Sequence, residues 1–358
     1  MISGLIKRVP SLLRLPVFAL HRAGLKTGKI NKVVHVVENV DWVIKWIGEA
    51  LKKNLQGVDF KVAQSGFFAT NSIVHYGSVN TILREEGVIR DPSNKSVVTV
   101  YHGDIGAVSD LLNIHEDVDR VVVANTIMKN RLIGWGVDRE KIRLIPIGVD
   151  YRNFAIFRGG VYQLRKEFGV PLGAVCIGSF QKDGDGWGDG MVPKLIKGPD
   201  IFLDVVERIA RTRKIHVLLT GPSRGFMKAG LKERGISFSH PYCKDQAEVA
   251  RCYKALDLYL VTSREEGGPQ ALMECLASHV PLVTSRVGMA PDIIMDGVNG
   301  SIVEVGDVGE FVKKSLEILE NPPDWGDLYR SSDDARALDW SCVCREYQVL
   351  YKELMEEE

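Results

Sequence analysis

Short runs of consecutive apolar residues recur along this chain, separated by stretches whose apolar positions fall three and four apart. In the first part the runs are Lys32–Val37, Phe60–Ala63, Ser72–Tyr76, Ser96–Tyr101 and Arg120–Thr126. Later come Gly173–Gly178, Ile215–Thr220, Leu258–Val261 and Leu282-Val283. Short apolar runs bounded by turn residues predict buried strands. Trp42, Ile44, Ile47, Leu51 and Leu55 instead repeat at helical spacing, so an amphipathic helix is expected after the first strand. Strands alternating with helices imply parallel βαβ units in an α/β fold. There is no tandem repeat and no heptad run. The length, 358 residues, suits two domains with separate cores.

One stretch concentrates the chemistry. From Asp257 to Thr284 the pattern reads strand, Gly-containing loop, helix, strand. The helix starts near Gln270, with Ala271, Leu272, Cys275 and Leu276 on one face. Loop amides before a helix N-terminus form a ready anion site. Gly267 and Gly268 would let the backbone approach a ligand closely. Glu266 and Glu274 lie about two helical turns apart, so one ligand along the helix start could touch both. On spacing alone the alternative stands equally: Glu266 caps the helix and Glu274 is solvated.

Ser263-Arg264-Glu265-Glu266-Gly267-Gly268-Pro269-Gln270-Ala271-Leu272-Met273-Glu274-Cys275-Leu276-Ala277 resembles the signature of family 4 (group 1) retaining glycosyltransferases, two glutamates separated by seven residues. The similarity continues through His279–Ser285, Gly288, Pro291–Ile294 and Asp296–Gly300, covers roughly residues 95–350, and is weak before that. The resemblance implies a GT-B fold: two Rossmann-like domains facing across a cleft, with a C-terminal helix crossing back to the first. It divides the chain into a basic arm (1–30), an acceptor domain (31–165), a donor domain (166–335) and the crossover helix (336–358).

The same resemblance implies that a sugar moves from a nucleotide-diphosphate sugar to an acceptor hydroxyl with retention. Glu274 would hold ribose hydroxyls, and Glu266 sugar hydroxyls near the anomeric centre. His102, after the fourth predicted strand, would face the transferred sugar. His75 is a weaker candidate on the acceptor side. Lys197 of Lys197-Gly198 would bind the diphosphate, helped by the amides of Gly267, Gly268 and Gln270, and Gly221 would lie by the nucleotide. No cofactor and no metal are implied. The acceptor class stays open between glycan, lipid-linked and small-molecule hydroxyls.

Two departures from the family pattern stand out. The usual Gly-Gly of the first loop is replaced by Glu38-Asn39-Val40-Asp41, where Asp41 could cap the helix. The usual Gly-Arg is replaced by Gly178-Ser179-Phe180-Gln181-Lys182, leaving Lys182 as the candidate replacement for the diphosphate arginine. A polar loop, 183–192, follows and is expected to be a solvated lid. Its aspartates lack EF-hand spacing. These departures keep two rivals open, a sugar-nucleotide-binding pseudoenzyme and another GT-B activity such as a nucleotide-sugar epimerase. A dinucleotide dehydrogenase lacks its Gly-x-Gly-x-x-Gly after the first strand.

Charge adds little elsewhere. Lys plus Arg and Asp plus Glu are both 46, which disfavours nucleic acid as a partner. The six cysteines are scattered and read as reduced core residues of a cytoplasmic protein. The segment before Glu38 carries seven basic residues, no acid, and interleaved apolar residues. Residues 1–30 are therefore expected to meet an anionic membrane surface, peripherally on its inner face, or else to form a packed or disordered arm.

Overall fold

The structure is a computed structural model that describes residues 29–39, 43–85, 91–103, 117–155, 160–186, 188–322 and 335–357. Residues 1–28 of the basic arm, the capping role of Asp41, and Arg158-Gly159 lie outside the described residues. Compactness divides the chain into unit 1 (1–99, 109–121, 347–358) and unit 2 (100–108, 122–346).

Two six-stranded sheets organise the chain, in the orders β2-β1-β3-β4-β5-β6 and β12-β11-β10-β7-β8-β9. The first holds β1 (Lys32–Val36), β2 (Asp59–Ala63), β3 (Ser72–Tyr76), β4 (Lys95–Val100), β5 (Arg120–Val123) and β6 (Ile142–Leu144). The second holds β7 (Val175–Ser179), β8 (Ile215–Leu219), β9 (Ser237–Ser239), β10 (Leu258–Val261), β11 (Leu282–Ser285) and β12 (Ser301–Val303). The ladders β1–β2, β1–β3, β3–β4, β7–β8, β8–β9, β7–β10, β10–β11 and β11–β12 are parallel. Parallel ladders need crossover connections, which is why helices follow the strands. The expected α/β class of two doubly wound sheets is what the chain adopts.

In unit 1, helix α1 (Val43–Asn54) buries Ile44, Ile47 and Leu51, three of the positions its apolar spacing predicted. His75, expected near an acceptor, is a core residue instead. Its ring is fully buried, with Nδ1 2.7 Å from the Tyr351 hydroxyl and Nε2 2.8 Å from Thr99 Oγ1. Strand β3 is buried at every position, so the ring offers no group to a ligand.

In unit 2, α2 (Thr126–Gly134) follows β5, and α3 (Pro199–Ala210) follows a short 3-10 turn at Leu195–Lys197. Helices α4 (Gly225–Glu233), α5 (Gln246–Tyr253), α6 (Gln270–Ala277) and α7 (Val308–Glu320) complete the set used below. Phe202, Val205, Val206 and Ile209 of α3 and Phe311 of α7 pack with Ile177, Val217 and Leu260 in one apolar core. Strands β8, β10 and β11 are buried at every position, which fixes their carboxyl ends and the loops that leave them. Helix α8 (Trp340–Glu356) begins in unit 2, where its Trp340 ring fills the space a side chain at Gly148 would need. No helix among the described residues is long and apolar enough to cross a membrane.

Candidate active site

The loop leaving β10 carries Thr262 to Pro269 onto the N-terminus of α6. It is clipped to the 3-10 turn 195–197. The Arg264 amide donates to the Ile196 carbonyl at 2.8 Å, and its guanidinium spans Asp200 at 2.8 and 2.6 Å. Gly198 closes that turn in the left-handed region, φ 64°, with the Thr262 carbonyl oxygen where a Cβ would lie. Only glycine fits both demands. The Gln181 side-chain Nε2 donates to the Lys197 carbonyl at 2.9 Å.

This clip brings Lys197 and Glu266 together. Lys197 Nζ donates to Glu266 Oε2 at 2.6 Å, while Ser263 Oγ donates to Oε1 at 2.8 Å. Glu266 is nearly buried, so its carboxylate depends on these partners. It pairs with a cation and does not cap α6. Among the described residues, the N–H groups of Gly267, Gly268 and Gln270 have no hydrogen-bonding partner, which leaves them available at the helix start. The two glycines also meet a packing demand. Tyr101 fills the space beside Gly267, and Ile147 and Met289 fill that beside Gly268. They let unit 2 pack tightly against its own loop. The Gln270 side chain reaches the Gly148 carbonyl at 3.4 Å.

Glu274 sits on α6 with Tyr253 Oη donating to its Oε2 at 2.8 Å. Burial pushes its carboxyl up to about 7, and the Tyr253 hydrogen bond opposes this. Tyr253 is itself fully buried in an aromatic group with Phe154, Phe180 and Tyr259. Gly221 follows β8 at φ 82°, and its carbonyl accepts from His240 Nε2 at 2.8 Å.

His102 lines a small pocket with Tyr101, Asn125, Arg131, Glu265 and Glu266. Desolvation first, then the charge of Lys197, holds its imidazole below the ordinary range, while Glu266 and Glu265 pull the other way. The sequence gives no sign of what fixes this segment. Glu265 Oε1 accepts from the Gly103 amide at 3.1 Å and from Arg131 Nη1 at 2.6 Å. Arg131 also reaches the Gly103 carbonyl at 3.3 Å. Asn125 caps α2 through Met128 N–H and donates to the Gly267 carbonyl. Glu265, beside the motif glutamate, is thus tied to the histidine loop. Its partner lies 134 residues away in sequence, so no local pattern could reveal it.

In the polar loop after β7, Asp185, Gly186, Gly188, Asp189, Met191 and Val192 are exposed, as its composition suggests, but its first aspartate is not. Asp183 is fully buried and ion-paired at 3.0 Å with Arg224, itself fully buried. Burial drives the Asp183 carboxyl up, with Arg224 opposing. Lys182, the expected stand-in for the arginine, sits partly buried at the start of this loop.

Residues 190–321 match the family model described as "Glycosyl transferases group 1". D-inositol 3-phosphate glycosyltransferase of Mycolicibacterium smegmatis is 26% identical over 221 residues, covering 58% of this chain and 47% of the relative. The protein of that name from Corynebacterium kroppenstedtii is 25% identical over 260 residues, covering 67% and 54%. The chain spans about half the length of the curated relatives it matches. Among solved structures, Anabaena HepE in complex with UDP-glucose has a TM-score of 0.72 at 13% identity, covering 90% of this chain and 99% of that one. Sucrose-phosphate synthase of Thermosynechococcus elongatus gives 0.72 at 15%, with the same coverage. The chain has the fold of these GT-B glycosyltransferase structures.

Proposed function

We propose that this chain is a glycosyltransferase that moves a sugar from a nucleotide-diphosphate sugar to an acceptor hydroxyl, retaining anomeric configuration as family 4 enzymes do. The Lys197–Glu266 pair carries the reading. It stands at 2.6 Å before the N-terminus of α6, two turns ahead of the half-buried Glu274. An ammonium has three donors, so Lys197 can keep Glu266 and still bind phosphate oxygens. Lys197 and the amides of Gly267, Gly268 and Gln270 then stabilise charge on the departing diphosphate, where preorganised donors contribute most. Glu266 orients sugar hydroxyls, Glu274 accepts from the ribose, and His102 borders the transferred sugar.

UDP-sugars are the first donors to test, because HepE binds UDP-glucose on the same fold. A panel of nucleotide sugars is incubated with candidate glycan, lipid-linked and small polyol acceptors, and the product anomer is assigned by NMR. Transfer, or slow donor hydrolysis, with retention is the expected outcome. Glu266→Ala should lose turnover yet still bind the nucleotide. An inverted product would remove the retaining assignment, and absence of nucleotide-sugar binding by the wild type would remove the reading itself.

A further inference from the structure

Two thiols of unit 2 meet outside the site described above. Cys243 Sγ and Cys252 Sγ lie 3.6 Å apart. All six cysteines are free, and among the described residues no other two cysteine sulfurs are in hydrogen-bonding contact. Cys243 belongs to the segment that links β9 to α5, and Cys252 to the last turn of α5. Cys252 stands about two helical turns beyond the N-cap residue, Asp245. Cys243 precedes that cap and still reaches Cys252, so the entering segment runs back along the flank of the helix.

The segment is tied on both sides of Cys243. After it, Asp245 caps α5 by accepting from the Glu248 amide at 3.0 Å, and Glu248 Oε2 accepts from the Lys244 amide at 2.8 Å. Before it, His240 Nε2 donates to the Gly221 carbonyl at 2.8 Å. The Cys243 sulfur is thereby held against its partner. The two thiols differ in access and in acidity. Cys252 is fully buried, whereas Cys243 is half-buried on a non-helical segment. The hydrogen bond from Cys252 holds the Cys243 thiol below its ordinary value, and the same bond, followed by burial, raises the Cys252 thiol. A thiolate is the nucleophilic form, so Cys243 is the sulfur that meets an oxidant. A disulfide brings its sulfurs to about 2.05 Å. The movement needed from 3.6 Å falls on Cys243, because Cys252 is packed into the helix.

We propose that Cys243 and Cys252 form a reversible oxidation site, which closes to a disulfide when a peroxide reaches Cys243. The Cys243 thiolate attacks one oxygen of hydrogen peroxide, the O–O bond breaks, and hydroxide leaves a sulfenic acid behind. The Cys252 sulfur then attacks the Cys243 sulfur, the S–O bond breaks, and the departing hydroxide takes the Cys252 proton as water. The two sulfurs together lose two electrons, which the peroxide oxygens gain. A dithiol restores both cysteines by exchange. No step needs a nucleotide sugar, so the site stands or falls independently of the donor reading.

The test treats the full chain with a small molar excess of hydrogen peroxide, counts thiols after denaturation, and blocks them with iodoacetamide before digestion. Wild type should lose two of its six thiols and regain both with dithiothreitol. Trypsin cuts after Arg234, Lys244, Arg251 and Lys254, so the bond should appear as peptide 235–244 joined to peptide 252–254, two hydrogens lighter than the separate pair. In Cys252→Ser the sulfenic acid has no resolving thiol, so dimedone should label Cys243 there and not in wild type. Cys342→Ser, which leaves the pair intact, should form the same bond as wild type. A wild type that keeps all six thiols in peroxide, or whose Cys243 reacts with dimedone as fully as in Cys252→Ser, overturns the proposal. A bond from Cys243 to any other cysteine, in the same chain or a second copy, also overturns it. The wild-type peptide map decides the matter even where Cys252→Ser folds poorly.

Discussion

Glu274 is held near 7 by burial, so the residue assigned to the ribose titrates in the working pH range. A carboxylate accepts two hydroxyl hydrogens, whereas its protonated form gives up part of that capacity. Nucleotide-sugar binding should therefore release a proton from Glu274, and affinity should rise with pH until the carboxyl is ionised. A nucleotide sugar has no phosphate titration near 7, so the slope reports the protein. Affinity at pH 6 should be roughly tenfold below that at pH 8, and Glu274→Gln should flatten the profile. An affinity independent of pH across this window would show that Glu274 does not contact the donor as an anion. The neighbouring site residue gives a second prediction. Glu265 joins Gly103 and Arg131, so Glu265→Ala and Arg131→Ala should each lower kcat by roughly tenfold, the scale of one charged hydrogen bond, through the His102 loop. The double variant should be no worse than either single one. Full activity in Glu265→Ala would show that the loop is fixed by other contacts.

At the scale of elements, the segment between β7 and α3 depends on one buried ion pair. Removing one partner of such a pair leaves the other charge stranded, at a cost of about 3–5 kcal/mol. Arg224→Met should cost about that much in unfolding free energy, because it strands Asp183 and frees the carbonyls of Ser179, Gln181 and Thr220. Arg224→Met combined with Asp183→Leu should be less destabilised than Arg224→Met alone. Chemical denaturation of the single and double variants measures this, and strict additivity would mean that the pair is not coupled. The same element marks the limit of what local sequence reveals. Strand β3 matches its apolar run from Ser72 to Tyr76, and α6 begins at Gln270, where the periodicity changes. The glutamates and Lys197 were legible because short motifs fix their spacing. Asp183 was not, since a Gly- and Asp-rich loop reads as solvated whatever distant side chain it folds onto. Glu265 was hidden for the same reason, as was the burial of His75. Their partners are set by tertiary packing, which residue spacing along one element does not encode.

Across the whole molecule, the response to acid is set in large part by histidines that the site does not use. His35 of β1 is nearly fully buried, and neither ring nitrogen has a hydrogen-bonding partner among the described residues. It stacks on Phe60 and meets the edge of His75 at 4.6 Å, within the small space left by Gly48 and Gly77. Burial takes His35 down to about 4, and burial followed by the His35 charge takes His75 well below its ordinary value. Both rings are neutral in the folded protein, whereas the unfolded chain binds protons below about 6.5. The unfolded state then holds more protons between about 6.5 and 4, so stability is complete above that window and falls as pH drops through it. For His35 alone the difference amounts to about 3 kcal/mol, a large share of an ordinary domain's stability. Unit 2 holds one such ring, His216 of β8, which burial also takes down to about 4, so unit 1, with two, should loosen first. Hydrogen exchange of the β1 and β3 amides should lose protection between pH 6.5 and 4.5 while β10 and β11 keep theirs. Replacing the ring by an apolar side chain in His35→Leu removes one titration, so the acid slope of unit 1 should shrink by about half. A variant whose protection falls with pH as steeply as the wild type would assign the acid limb to other groups.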